Sequence, residues 1–157
     1  MNRTLISHRP FFILTLAMVF SGLGACSNLP KEYIEALNTT TKIYNNALEG
    51  KGGTGGSDFV KKEMRPDYVL RYVEFRERVS VEESQVIDTT YLKDGEPVDI
   101  NLEDPDRKLD FNQAVITMHY RYVKMPDNRL QDLIHKQHWF LKGKRWEIEP
   151  DLDPFLE

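Results

Sequence analysis

The chain has 157 residues, with 21 basic and 25 acidic side chains, a formal net charge of −4 and a single cysteine. This length is enough for one domain with one core, and the 2 Trp, 7 Tyr and 8 Phe residues argue against a wholly disordered chain. An acidic balance without a concentrated basic stripe argues against nucleic-acid binding and against electrostatic attachment to a membrane.

The N-terminus combines basic residues with a short apolar run. Arg3 and Arg9 precede ten nearly continuous apolar residues over Phe11–Phe20, and no acidic residue occurs before position 26. A transmembrane helix needs about 20 apolar residues, so the run is typical of a secretory signal peptide. It ends at the tetrapeptide Leu23-Gly24-Ala25-Cys26.

This tetrapeptide resembles the lipobox of bacterial lipoproteins, a leucine and two small residues before a cysteine. The resemblance implies that residues 1–25 are a lipoprotein signal peptide and that Cys26 carries a diacylglyceryl group, palmitate being a typical acyl chain. It also implies cleavage before Cys26 and acylation of the new amino group. Ser27, where an aspartate would retain the protein in the inner membrane, implies sorting to the outer membrane, with the domain facing the periplasm. The alternative is an ordinary signal followed by a free thiol, which is disfavoured in an exported protein.

The expected mature chain divides into three parts. Residues 26–30 are predicted to be a lipidated spacer, residues 31–150 a single α+β domain, and residues 151–157 an acidic tail. Without Arg3 and Arg9 the mature chain carries 19 basic and 25 acidic residues, a formal charge of −6. Because Cys26 is the only cysteine, this domain can form no internal disulfide.

Two helices are predicted before any strand. The first is expected over residues 31–49, where positions recur at helical spacing: Ile34, Leu37, Thr41, Tyr44 and Leu48. Gly50 suits the end of that helix. The second is expected after Pro66, with Tyr68, Tyr72 and Phe75 on one face, although residues 69–81 also alternate as a strand would.

Between these helices lies a glycine-rich segment at residues 50–57. Residues 50–55 match the dinucleotide-binding pattern G-x-G-x-x-G, but that pattern requires a preceding strand, and here a helix precedes it. A phosphate-binding loop would need Ser or Thr directly after Lys51, where Gly52 stands. A flexible linker is therefore predicted.

From residue 81 onward the pattern changes to that of an antiparallel sheet. Strands are predicted over residues 81–92, 98–102, 111–123, 130–141 and 146–148, with a tight hairpin at Asp94-Gly95 and a turn at Gly143. In the central strand, one face is predicted to turn inward: Ala114, Ile116, Met118, Tyr120 and Tyr122. Helices followed by an antiparallel meander predict an α+β fold.

The element order, with the ending from Gln137 to Ile148, resembles the nuclear-transport-factor-2-like superfamily. The resemblance implies N-terminal helices packed on a curved antiparallel sheet around a cone-shaped cavity. Six residues are candidates for lining that cavity: Met118, Tyr120, Tyr122, His135, His138 and Trp139. The superfamily contains isomerases, dehydratases and pure binding or assembly modules, so the fold does not select one function.

No catalytic, metal or cofactor motif is found. On a strand, His135 and His138 point to opposite faces and cannot bind one ion. Asp104, Asp106 and Asp110 crowd one loop, but a calcium loop starting at Asp104 would need glycine at 109 and a carboxylate at 115, where Leu109 and Val115 stand. The sequence thus favours a non-enzymatic, lipid-anchored envelope protein, held at the membrane by its lipid, whose domain binds a protein partner or a small apolar ligand. A small cavity enzyme of the isomerase or dehydratase kind is the alternative, and the oligomeric state is open.

Overall fold

The computed structural model describes residues 29–52, 56–100 and 110–157. The predicted signal peptide, the lipobox-like tetrapeptide with Cys26, residues 53–55 of the glycine-rich segment and the acidic loop with Leu102, Asp104 and Asp106 lie outside these ranges. The described residues form helices on one face of a five-stranded antiparallel open sheet. None of these helices is long and apolar enough to cross a membrane.

Helix α1 spans Leu29–Leu48 and buries one stripe of side chains against the sheet. Leu37, Thr41, Tyr44 and Leu48 are each at most 2% exposed, and their spacing of four, three and four residues is that of one helical face. Gly50, two residues after the end of the helix, has a left-handed φ of 75°. Gly50 N donates to Ala47 O at 3.0 Å and Lys51 N to Asn46 O at 2.8 Å, the two bonds of a Schellman motif.

At the C-terminal end of the glycine-rich segment, Gly56 packs against α1. Gly56 is buried with a φ of 77°, and a Cβ atom there would lie 2.6 Å from the Tyr44 ring. The glycine is therefore required for close packing, which a purely flexible linker would not need. Two short 3₁₀ turns, Ser57–Phe59 and Lys62–Met64, lead to helix α2 at Arg65–Arg78.

Helix α2 confirms the helical interpretation of this region over the extended one. Pro66 lies in its first turn, where a backbone amide has no acceptor within the helix, so a proline there loses no hydrogen bond. Tyr68 and Phe75 are buried, and the Tyr72 hydroxyl donates to Ala47 O of α1 at 3.0 Å. The two helices are thereby joined.

The sheet has the strand order β2-β1-β3-β4-β5. The strands, in chain order, are β1 (Val79–Lys93), β2 (Glu96–Pro97), β3 (Gln113–Lys124), β4 (Arg129–Lys142) and β5 (Arg145–Glu149). Tight turns join neighbours at Asp94-Gly95, with φ of 51° and 92°, and at Gly143, with φ of 64°. Register shifts after Val81 and after Val86 interrupt the pairing of β1 with β3, and such bulges increase twist and bend a strand.

Strand β2 differs from the strand predicted over residues 98–102. Only Glu96 and Pro97 pair with β1 as a strand, and Val98 N donates one further bond to Tyr91 O at 2.9 Å. Val98 and Ile100 are instead partly buried hydrophobic residues packed against the core.

Strand β3 has the predicted two faces. Ala114, Ile116, Met118, Tyr120 and Tyr122 are each at most 5% exposed beneath the helices. The alternate residues face outward, where Arg121 is exposed and His119 Nε2 lies 2.7 Å from Asp132 Oδ1 on β4.

Residues 151–157, set apart by composition as an acidic tail, are packed into the core. Asp153–Leu156 form the short helix α3, and Leu152, Phe155 and Leu156 are at most 5% exposed. The Phe155 ring meets those of Phe75, Tyr120 and Tyr122 edge to face at 5.3, 5.0 and 5.3 Å between centroids. The acidic side chains are those that remain at the surface.

Phe155→Ala should therefore destabilise the domain strongly. Loss of a buried phenylalanine costs about 3–5 kcal/mol, from lost apolar burial and the cavity left behind. Leu130→Ala, at a side chain that is 53% exposed, should cost less than about 0.5 kcal/mol. Urea unfolding followed by tryptophan fluorescence measures both, and equal losses would contradict the packed position of the C-terminal helix.

Candidate binding cleft

The six residues expected to line an interior cavity do not share one environment. Met118, Tyr120, Tyr122 and Trp139 are buried on the helix-covered face of the sheet, and His135 is half-buried on the same face. His138 requires correction, because it is exposed on the opposite face, paired with Val115 and Glu149. Successive side chains of a strand point to alternate faces, so a residue three positions after His135 points to the opposite face.

The interior around Tyr120 is occupied by a closed set of hydrogen bonds. Asn45 Oδ1 accepts from the Tyr120 hydroxyl at 2.6 Å and from Gln137 Nε2 at 2.9 Å, and Gln137 Nε2 also donates to the Tyr120 oxygen at 2.6 Å. Trp139 Nε1 donates to Gln137 Oε1 at 3.1 Å, and Asn45 Nδ2 donates to Thr41 O at 2.9 Å. These polar side chains satisfy one another across α1, β3 and β4.

Little space remains at this place. The void bordered by Tyr120, His135, Gln137, Leu152 and Phe155 measures about 10 Å³, about the room of one water molecule. Burial raises the pKa of the Tyr120 hydroxyl far above its ordinary value, despite the hydrogen bond from Gln137, so it stays protonated. The cluster is a structural link between helix and sheet.

A larger space opens between the last three turns of α1 and the middle of β1. This α1–β1 cleft has a volume of about 560 Å³, within the usual range of small-molecule sites. It is lined by Asn38, Thr41, Lys42, Asn45, Asn46, Glu49, Lys51, Glu82, Glu83, Ser84, Val86, Thr89, Ile116 and Met118. Its deepest residues are Thr41, Asn45, Ile116 and Met118, each at most 4% exposed.

Glu49 holds the two walls of the cleft together. Its side chain is only 6% exposed, and it accepts hydrogen bonds from Ser84 Oγ on β1 and, at 2.6 Å, from Lys51 Nζ. A carboxylate this buried requires such donors to offset its lost hydration. Helix α1 and strand β1 are thus bridged at one end of the cleft.

Sequence reasoning missed this site, although a signal was present. Asn38, Thr41, Asn45 and Glu49 recur at spacings of three, four and four, which is one polar edge beside the buried stripe of α1. Thr41 was counted in the apolar stripe, and nothing in the sequence indicated that β1 would leave this edge uncovered.

Within the described ranges, no three His, Cys, Asp or Glu side chains are grouped as a metal site would require. The acidic and imidazole groups of the cleft and of the outer sheet face are dispersed or engaged in pairs, such as His119 with Asp132.

No known protein-family model and no curated protein matches this chain. Among solved structures, the chain is similar to the solution structure of RPA3114, a SEC-C motif containing protein from Rhodopseudomonas palustris. The two are 8% identical, the match covers 69% of this chain and 87% of that one, and the TM-score is 0.43. A likeness at this level carries no conclusion about function.

Tyr120→Phe tests the buried hydrogen bonds. The change leaves the ring but removes the hydroxyl that Asn45 and Gln137 use, so we expect a loss of about 1–3 kcal/mol in the free energy of unfolding. Tyr122→Phe is the matched control, because its hydroxyl donates only to the more accessible Gln131, and it should cost less than about 1 kcal/mol. Equal effects in urea unfolding would refute the structural role of the cluster.

His135 should make stability depend on pH. Burial lowers the pKa of its imidazole, with a smaller contribution from His138 and an opposing one from Asp151. Near its unfolded pKa of about 6.5, the unfolded chain binds the proton more readily than the folded one. The free energy of unfolding should therefore have its full value above about pH 6.5 and decrease as the pH is lowered below that value.

The matched comparison is with His135→Gln, measured by urea unfolding between about pH 7 and pH 5. Acidic groups change the stability of both proteins as the pH falls. The additional loss of stability in the wild type therefore measures the contribution of His135. Parallel curves would show that His135 does not contribute.

Proposed function

We propose that this protein is a lipid-anchored component of the bacterial envelope, attached to the outer membrane through Cys26 and facing the periplasm. Its α+β domain is proposed to be a binding module that uses the α1–β1 cleft. The observation that carries this proposal is a cleft of about 560 Å³ with hydrogen-bonding walls, in a domain that begins within a few residues of a lipobox-like sequence. The short spacer would keep the cleft close to the membrane surface.

The nuclear-transport-factor-2-like identity of the fold belongs to this proposal. Helices over an antiparallel sheet with bulges in β1 fit the expected element order. In place of an open cone, this chain fills the interior with Phe155 and Leu152, and the accessible space lies beside α1. A binding or assembly role fits that arrangement better than catalysis at the interior tyrosine.

The alternative, a small cavity enzyme, is supported by Glu49. A carboxylate in the wall of a cleft is a suitable position for a general base. Here it already accepts from Ser84 and Lys51, which favours a role in holding the walls and the ligand. Turnover of a bound compound that is abolished by Glu49→Gln, with binding retained, would favour the enzyme.

Cys26→Ser tests the anchor. The wild type should be recovered with membranes, and its mass should include the acyl chains, because two or three buried chains hold firmly where one is marginal. The variant should remain uncleaved or appear in the soluble fraction. An unmodified Cys26 in wild-type protein purified from membranes would overturn the proposed anchoring.

A further inference from the structure

The walls of the α1–β1 cleft present hydrogen-bonding groups of every kind. Side-chain amides come from Asn38, Asn45 and Asn46, hydroxyls from Thr41, Ser84 and Thr89, carboxylates from Glu49 and Glu82, and ammonium groups from Lys42 and Lys51. Such a mixture suits a ligand whose groups both donate and accept hydrogen bonds, as alcohol hydroxyls do. It suits a purely apolar ligand poorly, because these groups would lose water without gaining partners.

Thr41 provides an unsatisfied group in the deepest part of the cleft. Its Oγ1 is buried and has no hydrogen-bond partner within the described part of the chain, and the residue is only 2% exposed. Leaving such a hydroxyl unpaired is costly, so a ligand that reaches it gains a hydrogen bond at no loss to the protein. The neighbouring Asn45 Nδ2 directs its second hydrogen only toward the weak acceptor Met118 Sδ, at 4.0 Å.

The cleft also has an apolar part. Val86 of β1 is 49% exposed there, and Ile116 and Met118 of β3, each at most 2% exposed, lie at the floor beside Thr41 and Asn45. An exposed apolar side chain beside a row of polar groups is complementary to a ring with C–H bonds on one face and hydroxyls around its edge. Saccharides have this form.

The charges of the cleft nearly balance. Glu49 is paired with Lys51, and Glu83 lies 3.3 Å from Arg121. Of the remaining two, Glu82 and Lys42 carry opposite charges, and neither has an ion-pair partner among the described residues. A cleft with so little net charge disfavours phosphorylated or otherwise strongly charged ligands.

We propose that the α1–β1 cleft binds a neutral saccharide, with Thr41 and Asn45 hydrogen-bonded to its hydroxyls and Val86 in contact with its C–H face. The proposal rests on the binding role argued above and names its ligand class. It differs from the small apolar ligand that the sequence led us to expect.

The experiment uses lipidated protein purified from membranes in a detergent without sugar groups, such as lauryldimethylamine oxide. Saturation-transfer difference NMR titrations are run with glucose and N-acetylglucosamine, with glucose 6-phosphate as the charged probe and benzene as the uncharged apolar one. At least one neutral sugar should bind with a dissociation constant of about 1 mM or lower, and more tightly than the charged probe.

The matched variants are Thr41→Val and Thr117→Val. Each replaces a threonine with its isostere, the first in the cleft and the second on the outer face of β3. Loss of one hydrogen bond should weaken sugar binding about tenfold in Thr41→Val and leave Thr117→Val unchanged. Because Thr41 Oγ1 has no protein partner, we expect Thr41→Val to keep the wild-type unfolding midpoint, which tryptophan fluorescence checks.

Failure to bind either neutral sugar, or equal weakening by both variants, overturns the saccharide proposal. Preferential binding of the apolar probe, weakened by Val86→Ala, also overturns it while supporting the cleft as a binding site. The mass of Cys26 in the same preparation reports on anchoring independently of every titration. Failure of the ligand class is thus distinguishable from failure of the proposed function.

Discussion

The hydrogen bonds that Asn45 makes with Tyr120 and Gln137 determine how α1 rests on the sheet. In a dry interior each of these groups depends on the other two, since the loss of one leaves its partners unpaired. A helix bonded to two strands through one side chain cannot rotate about its axis without breaking those bonds. Thr41 and Glu49 lie about one turn to either side of Asn45, so the same bonds set the orientation of the helix edge that lines the cleft. Core and cleft are therefore not independent: the polar contact that orders the interior also orients the candidate site.

Much of the fold was predictable because the decisive information was local. In β3 the alternation from Ala114 to Tyr122 predicted the correct inward face, and Asp94-Gly95 and Gly143 marked turns that need a left-handed backbone. Helix α1 was predictable from its stripe and its terminal glycine. The structural role of the C-terminal residues was not, because three acidic residues masked Leu152, Phe155 and Leu156, whose spacing is too short to show a period. The cleft was also not predictable, since it depends on where a bulged strand diverges from a helix edge, a relation between distant segments.

A cavity lined by aromatic residues was the natural expectation for a helix-covered curved sheet, and the structure shows how such a space can be filled. Phe155 occupies the interior between Phe75 and the tyrosines of β3. The hydroxyl of Tyr120 is already hydrogen-bonded to the side-chain amides of Asn45 and Gln137. The accessible volume is displaced sideways to the α1–β1 boundary, where polar residues dominate. In this chain the shape of the fold and the chemistry of its open space are thus set by different residues.

The long reach of the contacts made by α1 also constrains when the domain can form. Asn45 accepts a hydrogen bond from Gln137, 92 residues later in the chain, and the backbone carbonyl of Tyr33 accepts one from Trp146, 113 residues later. An elongating or translocating chain that has reached only β3 can bond α2, β1 and β3 to α1, but it still lacks Gln137 and Trp146. The contacts of α1 are therefore completed only by the last two strands. Under the proposed export, the domain would therefore stay incompletely folded until nearly all of the chain has crossed the membrane.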